Sequence, residues 1–274
     1  MRPLVAAALL ASAWATAAHA EIQDNSFFIE EAYNQEAGVV QHIQTFLWAE
    51  EREGGLVDEA LAYAFTQEWP LGGQRHQLSY TIALARLYGD QGHAEGIGDI
   101  QIHYRNQLLE ESGGRPAFAP RLTLILPTGD DDEGLGAGTV GFQTNLPLSK
   151  QLDGVSFHLN AGATFLPGVK VTLATGGQSP PRDLFFTNFG FSVIPVLSER
   201  LHLLFETTAI VEEEIDDVGE REQVSRVLFS PGARYAIDRK DGGQWVLGAA
   251  APIGVSRPEN DIGVLVYLSF EHPF

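Results

Sequence analysis

The chain has 274 residues, with 36 acidic against 17 basic side chains and a formal charge of −19. A chain this acidic is not built to bind nucleic acid, whose phosphates would repel it. It contains no cysteine, which excludes disulfides and cysteine-based metal sites.

Residues 1–20 read as a secretory signal peptide. Arg2 is the lone positive charge ahead of an apolar run from Leu4 to Trp14, interrupted only by Ser12. Ala18-His19-Ala20 is a small-x-small cleavage site that would leave Glu21 at the new N-terminus. The run is too short for a membrane helix, which needs about 20 apolar residues, and no later segment is long enough either. A membrane barrel remains open, because only alternate residues of each strand then face lipid.

Residues 21–38 come next. Phe28, Ile29, Ala32 and Tyr33 have the spacing of one side of a helix, with Ser26 as a cap and Gly38 as a stop. The expectation is a short periplasmic helix or arm. It either plugs a lumen or lies at the periplasmic rim, and the rim is the preferred reading.

From Val39 to the end the chain divides into about twelve extended segments separated by Gly, Pro, Asp and Asn clusters. Their spans are 39–49, 56–69, 75–87, 97–109, 116–127, 138–149, 154–166, 183–197, 200–212, 223–237, 243–254 and 260–274. Period-two alternation is the strongest signal. Ile262, Val264, Val266, Leu268 and Phe270 share one face, while Asp261, Gly263, Tyr267, Ser269 and Glu271 share the other, with Leu265 the exception. A soluble sandwich would alternate too. Its strands average about 5–6 residues, however, and a tilted membrane strand needs roughly 9–11. The predicted fold is all-β: an antiparallel up-and-down transmembrane β-barrel over 39–274.

Connections after even segments are short (PLGGQ, EESGGR, SER). Most after odd segments are longer (YGDQGHAEG, TGDDDEGLGAG, EEEIDDVGEREQ). That alternation, with an even strand count, predicts both termini in the periplasm and the long loops outside. The last strand closes on Phe274, in phase with Phe270 and Leu268. This resembles the signal by which bacterial outer-membrane barrels reach their assembly machinery, although His272 stands where that signal often has tyrosine.

FFIEEAYNQEAGVVQHIQ at 27–44, GIGDIQIHYRNQLLEE at 96–111 and RLTLILPTGD at 121–130 resemble a family of bacterial outer-membrane transporters, also labelled putative MetA-pathway of phenol degradation. The resemblance implies a transmembrane barrel in the outer membrane of a Gram-negative cell. It also implies passage of small solutes, including hydrophobic or aromatic compounds. It supplies no catalytic residue, binding residue or cofactor.

Parity predicts a lumen lined by Asp99, Gln101, His103, Arg105, Gln107, Arg121, Gln143, Asn145, His158, Asn160, His202, Glu206, Arg226, Arg234, Asp261, Tyr267 and Glu271. Inside a barrel such groups meet water or one another. On the lipid face an arginine at mid-depth would cost about 2–4 kcal/mol.

Acidic stretches form a second constellation: Asp130, Asp131, Asp132 and Glu133, then Glu212, Glu213, Glu214, Asp216, Asp217 and Glu220. Carboxylates of this kind bind divalent cations or bridge lipopolysaccharide, but the spacing is not that of an EF-hand, and a solvated charge run is the preferred reading. Asp130, Asp131, Asp132, Glu213 and Asp216 are the metal candidates. Ser156 and His158 lie two apart on the same side of one strand, with Asn160 next, and a hydrolase would need such a set in mutual hydrogen-bond reach. The preferred reading is lumen polarity, because i and i+2 side chains are separated by nearly 7 Å of backbone. The expected function is a passive outer-membrane channel. The alternatives are an occluded structural or surface-interaction barrel and, last, a lipid hydrolase.

Overall fold

The computed structural model describes residues 22, 24–53, 56–89, 92–173, 177–216, 218–256 and 261–274. The leader at 1–20 lies outside the described residues. The strands are β1 (Val39–Glu53), β2 (Leu56–Pro70), β3 (His76–Gly89), β4 (Gly92–Ile97), β5 (Ile100–Asn106), β6 (Ala117–Phe118), β7 (Arg121–Leu126) and β8 (Gly141–Asn145). They continue as β9 (Leu148–Leu152), β10 (Val155–Val169), β11 (Arg182–Ser198), β12 (Leu201–Ile215), β13 (Arg221–Asp238), β14 (Gln244–Ala250), β15 (Ile253–Gly254) and β16 (Ile262–Pro273).

These sixteen strands build twelve staves, because four staves are broken in two: β4/β5, β6/β7, β8/β9 and β14/β15. Three of the breaks hold Pro120, Pro147 and Pro252. Proline has no N–H to give the ladder, so pairing stops and restarts there. Each stave pairs antiparallel with the next. The ring closes where β1 meets β16, in register from Val39↔Pro273 to Glu50↔Ile262.

The start of β1 and the end of β16 lie at one end of the barrel, called here the terminal end; the other is the far end. The far-end strands run longer than the sequence suggests. β4 takes up all of GHAEG, and Glu213–Ile215 extend β12, so two expected long loops are shorter than the sequence implies. At the terminal end the connection 107–116 is longer than expected. Loop length is therefore a weaker guide to the two ends than the sequence reading supposed. Cross-strand pairing continues the ladder through polar residues that a local reading assigns to loops.

Alternation sets the two faces of the wall. Each stave carries large exposed apolar side chains on its outer face, among them Phe46, Leu61, Leu84, Ile102, Leu122, Phe142, Leu159, Phe189, Phe205, Phe229, Leu247 and Val264. An apolar surface round the whole circumference is untenable in water and is the complement of a bilayer. Near the terminal end this belt gives way to rings. Trp245 stacks on Phe270 at 4.4 Å, and His42, Phe65, Tyr80 and Trp69 continue the band across β1–β3. Aromatic bands mark the water–lipid interface. Closure leaves no free edge, so every paired backbone group is satisfied without water.

Candidate functional site

The arm, Ile22–Gly38, does not form the expected helix, and it does not lie at the rim. Its backbone donors go to side chains of the wall instead of to carbonyls four residues back. Phe28 and Ile29 N–H both donate to Glu206 at 3.0 Å, and Glu30 N–H to Asn160 at 2.9 Å. Ala32 N–H donates to Ser149 at 2.7 Å, Asn34 N–H to Gln107 at 3.0 Å and Gln35 N–H to Gln77 at 2.8 Å. These partners stand on β12, β10, β9, the end of β5 and β3. One short segment can touch staves all round a closed ring only from inside it. The helical spacing of its apolar residues yields to this outside supply of acceptors.

Two arginines hold the arm. Arg105, on β5, is 2% exposed. It donates to Glu30 at 3.0 Å, to Asn34 at 2.8 Å, to Gln77 at 3.1 Å, and to the carbonyls of Glu31 and Tyr33. Arg234, on β13, donates to Glu31 at 3.1 Å and to the carbonyls of Ile22, Asp24 and Asn25. His202, in register with Arg234, lies 3.4 Å from its guanidinium. Glu30 also meets Arg121 at 3.3 Å and accepts from Asn145 at 2.7 Å. Asp24 accepts from Gln41 at 2.7 Å and from Tyr267 and Ser269. Buried charges tolerate this setting because the arginines face the arm's carboxylates and carbonyls directly, although Nε of Arg121 and of Arg234 stays without a partner.

The arm's acids respond differently to burial. Desolvation pushes Asp24 up to about 6, against the pull of Arg234 and its hydrogen bonds. Glu31 is raised for the same first reason, also against Arg234. Burial pushes Glu30 upward too, but Arg121 and Arg105 together outweigh it and hold the carboxyl below its usual range.

Glycines give the arm its room. A Cβ at Gly248 would run into the ring of Phe27, and one at Gly190 into the end of Ile29. The Phe27 ring also rests on Tyr267, with centroids 5.2 Å apart.

Beyond the arm, toward the far end, lies a cavity of about 610 Å³ whose floor is Asn25–Glu30. One side offers hydrogen-bonding groups: Thr66, Thr81, Gln101, His103, Gln143 and Thr164. The other offers Phe186, Ile210 and Leu228 interspersed with Asn188, Thr208 and Glu212, and Phe27 rises from the floor. His103 is held between Thr81 at 3.0 Å and Thr123 at 2.8 Å, and Gln143 bridges Arg121 and Thr164 at 3.0 and 3.1 Å.

The remaining sequence candidates fall elsewhere. Asp99 sits at the β4/β5 break and accepts from the backbones of Thr128, Gly129 and Ala137, which shapes the 127–140 loop. Arg226 pairs with Glu51, Glu212 and Glu214 near the far rim. Asp261 is also at that rim, where its carbonyl accepts from Gly254. Glu271 lies in register between Gln41 and Gln244 at the terminal end. His158 turns to Ser149 across the strand at 2.7 Å. Asn160 is occupied by the arm.

Asp130 and Asp216 spend side-chain oxygens on the backbone of their own loops. Asp132 meets Thr172 at 3.2 Å, and Asp131 lies against Gly138. Glu213 is on β12 rather than in a loop, where it accepts from Phe185 N–H at 2.9 Å. Among the described residues no group of three or more His, Asp or Glu is arranged to hold a metal ion.

Sequence alone does not single out Asp24, Glu31, Gln41, Glu68, Gln77 and Ser149, all buried, or Glu30, which is half-buried. Strand parity puts Gln41, Glu68 and Gln77 on the inward face, which is the signal they carry. The arm acids carry no local signal except that acidic residues stand beside a strand set rich in inward arginines.

The family model described as putative MetA-pathway of phenol degradation matches residues 30–249. The chain belongs to this family. The matched span begins at Glu30, inside the plug, and ends within β14. The fold is similar to that of an outer membrane channel from Pseudomonas putida F1, with TM-score 0.68 and 10% identity over 89% of this chain and 98% of that one. It is also similar to the translocator domain of the autotransporter NalP from Neisseria meningitidis, with TM-score 0.56 and 12% identity over 88% and 90%. At these identities the likeness concerns the fold alone, which is that of an outer-membrane barrel. No curated protein matches the chain by sequence.

Proposed function

We propose that this family member is an outer-membrane channel for passive passage of small, largely uncharged solutes, hydrophobic and aromatic ones included. Its terminal end faces the periplasm. The observation that carries the reading is the division of the lumen: the arm fills one end and a cavity of about 610 Å³ with both polar and apolar lining opens beyond it. An apolar ring or chain fits against Phe27, Phe186, Ile210 and Leu228, while a hydroxyl finds partners among the threonines, Gln101 and Gln143. The family's description, phenol degradation, agrees with a ligand of that kind.

Charge supports the same reading. Glu30 and Glu31 oppose Arg105, Arg121 and Arg234 at the level of the arm, so the site presents little net field to a neutral solute. The acidic far rim disfavours anions before they enter.

Purified protein in planar bilayers and liposomes tests this. Wild type should conduct weakly, and deletion of residues 22–36 should raise conductance and the flux of phenol-sized neutral solutes. If neither protein conducts or passes solute, the barrel is an occluded structural element instead.

A further inference from the structure

The position at which the C-terminal strand departs from the usual aromatic pattern, His272, meets a second histidine. His42 on β1 and His272 on β16 approach with their Nε2 atoms 3.3 Å apart. Their rings lie within 17° of parallel with centroids 5.4 Å apart, so they meet through their nitrogen corners rather than face to face. We propose that this pair is a site for a divalent transition ion of the Zn²⁺ type, clipping the seam where the barrel closes.

The geometry suits such an ion. Zinc sits about 2.0–2.1 Å from an imidazole nitrogen, and two nitrogens 3.3 Å apart then subtend about 107° at the metal, close to tetrahedral. Water fills the remaining positions, because no group of three or more ligating side chains exists among the described residues. Imidazole pairs select zinc, nickel and copper over magnesium or calcium, which prefer oxygen.

The surroundings prepare both rings. His272 Nδ1 lies 2.9 Å from the carbonyl of Pro273, which can only accept. That fixes the proton on Nδ1 and leaves Nε2 with its lone pair free, the arrangement found for metal-bound histidines. His42 Nδ1 lies 3.0 Å from the amide of Gln67, which also bonds Tyr80 at 2.9 Å. Without metal, His42 Nε2–H donates to His272. With metal, the proton moves to Nδ1, the Gln67 amide turns its oxygen toward it, and the Tyr80 hydroxyl accepts where it had donated. Both states leave His42 Nδ1 and the Gln67 amide partnered, while the Tyr80 hydroxyl proton turns away from Gln67 when the metal binds.

The site stands at a mechanically special place. β1 and β16 are the first and last strands, so their ladder is the closure of the ring. The chain passes from the plug into β1 three residues before His42, and Phe274 N–H donates to Gly38 at the base of the arm. An ion bridging the two strands would bind the folded barrel and not the unfolded chain, and so stabilise closure.

Untagged barrel in detergent, free of added histidines, is titrated with Zn²⁺ by calorimetry and with Co²⁺ by visible absorption. One ion per chain is expected, with a tetrahedral cobalt spectrum and a thermal midpoint that rises with Zn²⁺. His272→Phe keeps an aromatic ring at the interface and should weaken binding at least tenfold, as should His42→Phe. Heat-modifiable gel mobility verifies that both variants fold. Absence of a bound ion in wild type overturns the proposal, as does equal affinity in the folded variants.

Discussion

Arg234 and Glu31 are 203 residues apart in sequence and meet at 3.1 Å, with side chains 1% and 6% exposed. One stands on the wall and the other on the arm, so this contact is a direct measure of whether the arm is in place. Breaking a buried pair by removing one partner costs about 3–5 kcal/mol, because the other charge is left without compensation. Arg234→Met should therefore release the arm, raise conductance, and expose residues 22–36 to protease. Adding Glu31→Gln should restore part of the protection. If the single variant protects the arm as well as wild type does, the pair does not hold it.

Gly248→Leu places side-chain atoms where the Phe27 ring lies, and Gly190→Ala places a methyl against Ile29. Overpacking of this kind costs about 1–3 kcal/mol. The barrel can expel the arm instead of straining its own ladder. Hydrogen exchange of the arm amides should accelerate in both variants while the amides of β11 and β14 stay protected. Loss of strand protection together with arm protection would point to a damaged barrel.

Arm retention should fall as pH rises toward neutrality. Burial raises Asp24 from 3.8 to about 6, so the docked arm prefers it protonated. The groups facing it are Arg234, Tyr267, Ser269, Gln41, Glu271 and the arm's own Glu31, with Glu68 and Arg105 in the same pocket. Its ionisation opposes docking progressively above 3.8 and fully above about 6, by about 3 kcal/mol. Glu30 has the opposite sign: held below 4.5, it favours docking above that value and loses the contribution only in stronger acid. Conductance should rise between about pH 4 and pH 6, and Asp24→Asn should flatten the rise. A wild-type profile as flat as the variant's would contradict this.

Phe189, on β11, is 58% exposed on the outer face. In water, replacing an exposed phenylalanine by arginine would cost almost nothing. In a bilayer, Phe189→Arg should destabilise by about 2–4 kcal/mol near mid-depth. Urea unfolding of the barrel reconstituted in lipid measures the difference, and an unchanged midpoint would argue against lipid at that face.

Much of this molecule follows from local pattern. Alternation in segments such as Ile262–Phe270, spacing of the turn clusters and the in-phase Phe274 together specify twelve staves and their inner and outer faces, because side-chain direction in a strand depends only on parity. The same parity puts Arg105 and Arg234 on the inward face, but it does not tell what each would meet. The arm shows why. Phe28, Ile29, Ala32 and Tyr33 carry helical spacing, yet the backbone N–H groups of Phe28, Ile29 and Ala32 are claimed by Glu206 and Ser149. Those acceptors come together only when β1 pairs with β16 and the ring closes. The strand count, the faces and the membrane belt were thus set by sequence alone. The plug, the pairing of its acids with arginines as many as 203 residues away, and the meeting of His42 with His272 were decided by closure, which brings distant inward and outward residues within hydrogen-bond reach.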